Sequence, residues 1–296
     1  MATPKQFMTT QAMREKMKFL PLSHYERHPE QIPAVAKDLV INYGHIPPAQ
    51  VVRHIIRVRD EALEEFFFPS IGSLRFLNFS LAARAVYPEI LQRLKEGQKL
   101  LDVGCCFGAD VRKVIYDGAP AENCFGSDLS RVYLELGYEL FNDGDRMRGQ
   151  FMVADIFKLD EEPRDDHAEL NALKGDIDII YASSFFHLFS RAGQIKLGTI
   201  LVSILRPMPG SLLVGRQAGT IKAGERTEAA LDGGPQFRHD VESFRQMWVE
   251  IGELTGTKWR MEGSLDQAEM GPEARKAEDR EVDEHDRRLL FEVRRL

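Results

Sequence analysis

The sequence predicts an α/β protein with a mostly parallel sheet, helices on both faces, an antiparallel last strand and an N-terminal helical cap. Three observations predict it. From Lys99 onward, strand and helix patterns alternate at a regular cadence, which calls for right-handed crossovers and a parallel sheet. The stretch LDVGCCFGADVRKV at 101–114 reads as a buried strand, a tight turn and a helix. The last forty residues hold two strand patterns with no helix between them, which makes a hairpin.

The elements follow in order. Residues 1–95 form the cap. Pro47 and Pro48 suit a helix start, and Val51, Val52, Ile55, Ile56, Leu63 and Phe66 recur at helical spacing. An aromatic stretch from Phe67 to Leu77 is punctuated by Pro69 and Gly72. Residues 96–296 form the second domain. Strands are expected at 99–103, 123–127, 150–154, 176–182 and 211–216. Helices are expected at 109–116, 131–141 (capped by Ser130), near 167–173, at 192–205 (halted by Pro207) and at 241–254. The closing strands fall at 257–263 and 289–293. The charged linker from Asp266 to Arg288 reads as a solvated loop.

Composition narrows the function. A chain of 296 residues can bury a sizeable core. Its net charge of -7 argues against a nucleic-acid partner, which needs a basic footprint. No apolar run is long enough to span a bilayer, and the first twenty residues carry no secretory apolar core, so a cytoplasmic location is expected, with an organelle-targeting reading of that basic stretch as the weaker alternative. Cys105, Cys106 and Cys124 are too few for a disulfide framework and suit a reducing compartment. A bridge between adjacent Cys105 and Cys106 departs from disulfide geometry. No paired ligand clusters support a metal, and His24 with His28 lacks further ligands.

The turn at 104–108 sits where an open parallel sheet binds ligands, at the C-terminal ends of its strands. Three acids fall in register there: Asp102 inside the first strand, Asp128 ending the second and Asp155 ending the third. An acid ending the second strand can accept both hydroxyls of a ribose. An acid ending the third can accept from an adenine amino group. A dinucleotide fingerprint is matched only in part, and no Gly-Lys-Ser/Thr follows the turn, so a P-loop is excluded.

The runs LDVGCCFGADVRKV, GSDLS (126–130) and ADIF (154–157) resemble the first three motifs of class I S-adenosylmethionine-dependent methyltransferases. PSIGSLRFL (69–77), SSFFHLFS (183–190), FRHDVESFRQMW (237–248) and the terminal LLFEVRR resemble, more narrowly, methyltransferases of fungal secondary-metabolite clusters, above all those that esterify carboxylic acids in meroterpenoid pathways. The resemblance implies a Rossmann-like sheet and S-adenosyl-L-methionine as cofactor. It places the cofactor on Asp102, Gly104, Cys105, Cys106, Asp128, Leu129, Asp155, Ile156 and Ser183. Cys106 stands where the general motif has its middle glycine, so the loop is expected to follow a path that avoids an unusual positive φ.

His187 follows the fourth strand and is the expected catalytic residue. Arg75, Phe186, His187, Arg216 and Arg238 are the expected substrate contacts, with His239 a weaker anion-holding candidate. The implied reaction makes a methyl ester from a carboxylic acid of a small aromatic or terpenoid substrate. The rivals are transfer to a phenol oxygen or carbon with His187 as base, an NAD-dependent oxidoreductase, and a non-catalytic cofactor-binding regulator. The expected partner is a small-molecule substrate, and a homodimer stays open.

Overall fold

The computed structural model describes residues 32–65, 68–159, 168–266 and 285–296. The arm at 1–20, His24 and His28, Phe66 and Phe67, and positions 267–284 of the charged linker lie outside the described residues. The chain divides into two compact units, one holding the described residues through Asp155 and 168–170, the other 156–159 and the described residues from Asn171 to Leu296.

In the first unit, helices α1 (Ala34–Asn42), α2 (Val51–Glu65) and α3 (Tyr87–Lys95) precede β1 (Leu100–Val103). Then come α4 (Ala109–Tyr116), β2 (Cys124–Asp128), α5 (Arg131–Phe141) and β3 (Phe151–Val153). Pro88 lies in the first turn of α3, where its missing N–H costs no bond. The Ser130 hydroxyl accepts from the Tyr133 amide at 3.2 Å and starts α5 where the sequence places it. Asn142, left-handed at φ 47°, ends it.

Strands β1, β2 and β3 are parallel, with Leu100 opposite Cys124 and Gly126 opposite Phe151. The N-terminal helices are tied to these strands' helices by side chains. Tyr43 donates to Asp143 at 2.8 Å, Tyr87 to Asp117 at 2.6 Å, and the Leu81 amide to Asp110 at 3.0 Å. Leu39, Ile55 and Leu77 are fully buried between them, each contributing roughly 1.5–3 kcal/mol.

The second unit contains β4 (Ile179–Ser183), α6 (Arg191–Ile204), β5 (Leu212–Thr220), β6 (Gly224–Ala229), β7 (Pro235–Arg238), α7 (Val241–Thr255), β8 (Trp259–Asp266) and β9 (Asp286–Arg295). Asp240 and Ser243 close a capping box at the start of α7, and Gly256 at φ 64° ends it. The seven-stranded sheet has the order β3-β2-β1-β4-β5-β9-β8. β4 and β5 are parallel, whereas β9 runs antiparallel to both β5 and β8. The expected antiparallel last strand is therefore present, one position in from the sheet edge.

Two features differ from expectation. The helix expected near 167–173 is a single turn at Ala168–Asn171. The antiparallel hairpin of β6 and β7 was not anticipated. The sequence of β6, GERTEA, is almost wholly polar and half-exposed, so it carries no hydrophobic alternation. The Asp232-Gly-Gly turn was the readable signal, with Gly233 and Gly234 at φ 81° and 85°.

Candidate cofactor and acceptor sites

The turn after β1 is shaped by its own backbone and by one acid. The amides of Gly104 and Cys105 donate to the Ser127 carbonyl at 2.8 and 3.0 Å, which pins the turn to the end of β2. Gly108 closes it by donating to the Cys105 carbonyl at 2.8 Å. Gly104, Cys106 and Gly108 have φ of 70°, 54° and 61°. The expectation that Cys106 would avoid a positive φ is thus overturned. The physical reason is its amide, which donates to Asp128 Oδ2 at 2.8 Å, while Asp128 Oδ1 accepts from the Ser130 amide at 2.9 Å. A charge-assisted bond of this kind can hold a non-glycine residue in the left-handed region.

Arg112, on α4, supports the turn from beneath. It is 1% exposed and forms a two-pronged ion pair with the buried Asp143, Nε to Oδ2 at 2.7 Å and Nη2 to Oδ1 at 2.8 Å. Its third nitrogen donates to the Phe107 carbonyl at 2.6 Å. The guanidinium carbon lies 4.4 Å from the Phe151 ring centre. A Cβ at Gly137 would fall 2.6 Å from the Phe107 carbonyl oxygen, so only glycine lets α5 pack this closely on the turn.

Burial weighs on the carboxyls beside the turn and disfavours their charged form. Burial pushes the Asp102 carboxyl well above the usual carboxylate range, and the neighbouring charges of Asp110 and Asp128 raise it further. Burial also raises Asp128, against the lowering pull of the Ser130, Cys106 and Leu129 amides. The Cys105 and Cys106 thiols are pushed far up by burial, and Cys124 up to about 12, so none supplies a thiolate at neutral pH. A positively charged ligand beside these acids, such as one carrying a sulfonium and an ammonium group, would favour their charged forms. Leu129 is 59% exposed beside Asp128, and the buried Ile156 opens a short turn just after Asp155, itself two residues beyond the end of β3.

The acceptor candidates lie in the second unit, apart from Arg75. That residue belongs to the first unit and donates to Ser73 Oγ at 2.9 Å. β4 ends at Ser183, which pairs in register with Arg216 of β5 and accepts from its Nε at 3.3 Å. Arg216 is 7% exposed. After Ser184, at φ 54°, a single helical turn at Phe186–Leu188 carries the half-buried His187. Phe186 points into the core between Phe244 and Phe291, at ring distances of 5.7 and 5.9 Å, and so packs α7 onto the sheet. Arg238 is half-buried at the end of β7. His239 is fully buried, and burial, with a smaller contribution from the Arg191 charge, lowers its pKa to about 4. It is neutral near pH 7 and supplies no charge to hold an anion.

Sequence reasoning missed Arg112, Asp143, Gln194 and Gln217. Arg112 reads as a polar residue on a helix surface, and its partner is thirty-one positions away. Among the described residues, no cluster of His, Cys, Asp and Glu could hold a metal ion, and no helix is long and apolar enough to cross a membrane.

Comparison with known proteins bears on the family. A family model for the meroterpenoid methyltransferase N-terminal domain matches residues 24–77. The chain is 38% identical over 273 residues to an O-methyltransferase of Stereocaulon alpinum, spanning 92% of this chain and 75% of that protein. It is 34% identical over 227 residues to the asnovolin E/chermesin D methyltransferase of Aspergillus novofumigatus, spanning 77% of this chain and 79% of that one. A solved Haemonchus contortus phosphoethanolamine N-methyltransferase overlays with a TM-score of 0.48 at 15% identity, over 88% of this chain and 59% of that one. The first two similarities displace the oxidoreductase and regulator readings. With its cofactor-type turn and ordered acids, the chain belongs to the S-adenosylmethionine-dependent methyltransferases of fungal secondary metabolism, in the meroterpenoid group.

Proposed function

We propose that this methyltransferase transfers the methyl group to a carboxylate oxygen of a small aromatic or terpenoid acid, giving a methyl ester. The observation that carries this reading is Arg216. A guanidinium 7% exposed at the paired ends of β4 and β5 brings positive charge to the unit that also presents His187. Positive charge there favours an acceptor that arrives as an anion. A carboxylic acid near pKa ~4 is already ionised at neutral pH, whereas a phenol near ~10 needs a base.

When bound, S-adenosylmethionine supplies an activated methyl group on a positively charged sulfur. Asp102 and Asp128 suit its positive charge and its ribose hydroxyls, and the Asp155 to Ile156 step suits its adenine. The remaining work of the chain is orientation, which can contribute roughly 7–11 kcal/mol. His187 orients the acceptor acid by donating a hydrogen bond. No residue need remove a proton.

The product decides. Turnover with labelled S-adenosylmethionine and a panel of aromatic and terpenoid acids should give label that mild alkali releases as methanol, the signature of an ester. His187→Ala should lower the rate modestly, and a general base would contribute roughly 10²–10⁴-fold. Alkali-stable label, with activity rising through a basic limb near the histidine pKa, would overturn the ester reading and make His187 the proton acceptor.

A further inference from the structure

Three buried side chains of the second unit have polar atoms that methyl transfer does not use. Gln217, 2% exposed, follows Arg216 on β5, and neither its Nε2 nor its Oε1 has a hydrogen-bond partner. His239, fully buried, shares a hydrogen bond between Nδ1 and Ser243 Oγ at 2.9 Å, while its Nε2 has none. Gln194, fully buried on α6, donates Nε2 to the carbonyls of Phe189 and Phe237 at 3.2 and 2.9 Å, and its Oε1 has none. Buried polar atoms are almost always paired, because an unpaired one keeps the whole cost of leaving water.

The backbone gathers these groups. Gln217 is opposite Leu289 across the antiparallel β5–β9 pair, so the two side chains share a face. Gly219, two residues on, faces the same way. A Cβ there would meet Leu289 Cβ at 2.8 Å and the His239 carbonyl oxygen at 2.9 Å. The Thr220 amide donates to that carbonyl at 3.0 Å. The main chain of His239 therefore crosses the face of β5 on which Gln217 lies, and the bond from Gln194 to Phe237 brings a second carboxamide to the neighbouring stretch. The loop after β4 and the β6–β7 hairpin meet alongside, through Leu231 N to Leu188 O at 2.9 Å and Phe237 N to Phe189 O at 3.4 Å.

We propose that Gln217, with His239 and Gln194, forms a polar recess that holds a neutral oxygen function of the acceptor, a hydroxyl or a ketone, and so selects oxygenated acids over their deoxy counterparts. The recess offers donors and acceptors together, which suits a hydroxyl, and its three members are neutral at pH 7. A site built to bond such a group discriminates strongly against the analogue that lacks it, because its own buried atoms are then left unpaired. The inference rests on the acceptor site lying on this unit, as in the proposed function.

The test compares wild type with Gln217→Leu and Gln217→Glu. Calorimetric binding and steady-state kinetics are run on a pair of acids that differ by one hydroxyl or ketone. Gln217→Leu should leave Tm unchanged or raised, since an unpaired amide is replaced by an apolar group of similar size. Its KM and Kd for the oxygenated acid should rise about tenfold, with kcat and cofactor affinity within about twofold and the deoxy acid unaffected. Gln217→Glu keeps size and an acceptor but should bind the oxygenated acid less well than wild type. Wild type that does not distinguish the pair, or Gln217→Leu that binds both as wild type does, overturns the proposal. So does a marked fall in Tm with loss of cofactor binding, which would assign Gln217 a structural role. The binding comparison does not depend on which atom is methylated, so a methyl ether product would sink the ester reading and leave the recess standing.

Discussion

The two units build their candidate sites by different means. In the first, a contiguous turn of five residues is held by main-chain bonds to the end of the next strand and by one carboxylate, Asp128. In the second, the polar groups come from β5, α6, the loop after β4 and the exit of a hairpin, and one bond among them, Gln194 to Phe237, joins residues forty-three positions apart. The first is acidic and crowded, with glycine needed where α5 meets the turn. The second sets the buried guanidinium of Arg216 beside buried amides and an uncharged imidazole. A cofactor common to a whole family can be held by backbone, which is indifferent to side-chain drift. An acceptor that differs between relatives must be read by side chains, and those can come from anywhere in the fold.

Arg112 offers the largest way to break that contrast, because it makes a backbone-built turn depend on a distant side chain. Arg112→Met strands the buried Asp143 charge and frees the Phe107 carbonyl. Removing one member of a buried pair costs about 3–5 kcal/mol. Thermal unfolding should show that loss, and calorimetry should show cofactor binding weakened at least tenfold. Tyr43→Phe removes only one bond to Asp143 and should cost about 1 kcal/mol. Unchanged unfolding and cofactor binding in Arg112→Met would mean the turn is self-supporting.

The next prediction uses pH, since the two units respond with opposite sign. His239 has its folded pKa lowered to about 4 from 6.5, so its contribution is complete above 6.5 and is lost as pH falls through 4. That shift corresponds to about 3 kcal/mol. Asp102 is raised, so its contribution is complete below the unfolded carboxylate range and is lost as pH rises through the raised value. Chemical denaturation at pH 7 and pH 4 separates them. His239→Gln should lose less stability on acidification than wild type, by about 3 kcal/mol. Asp102→Asn should lose more, because an opposing contribution is gone. Parallel behaviour of the two variants would erase the electrostatic difference between the units.

The same difference decides what could be read in the sequence. Strand, turn and helix around LDVGCCFGADVRKV, the Ser130 cap and the placement of Asp128 are local, and they were legible from spacing alone. The inserted β9 was legible because a hairpin without a helix leaves few alternatives. The β6–β7 hairpin was hidden because polar, half-exposed strands show no alternation. Gln194 and Gln217 were hidden because a buried carboxamide looks like any other glutamine until three-dimensional packing surrounds it. The left-handed Cys106 was misjudged because its compensation comes from residue 128, twenty-two positions on.

Asp128 should give an intermediate effect confined to the first unit. It combines two duties, accepting the Cys106 and Ser130 amides and presenting a carboxylate at the strand end. Asp128→Ala should weaken S-adenosylmethionine binding by about 1.5–3 kcal/mol, the usual cost of losing bonds to a charged group. Asp128→Asn should lose less, because one acceptor oxygen remains. Equal calorimetric affinity in wild type and Asp128→Ala would remove Asp128 from the cofactor site and leave it a purely structural cap.

The smallest expected effect concerns the cysteines, which give the turn its unusual composition. Cys106 in the left-handed region carries a strain of about 1–2 kcal/mol for a residue with a Cβ. Cys106→Gly removes that strain but adds about 0.5–1 kcal/mol of chain entropy to the unfolded state. It also deletes a half-buried thiol that contributes some packing. These terms offset one another, so stability should change by less than about 1 kcal/mol. Chemistry should change as little, because burial holds both turn thiols in the uncharged form, and the main-chain amide that donates to Asp128 survives the substitution. Cys106→Gly and Cys105→Ala should therefore keep cofactor affinity and turnover within about threefold. A loss above about tenfold in a variant that still melts cooperatively and binds cofactor would give a turn sulfur a part in catalysis. It would also bring into the backbone-built turn the dependence on specific side chains that otherwise marks the acceptor site proposed for the second unit.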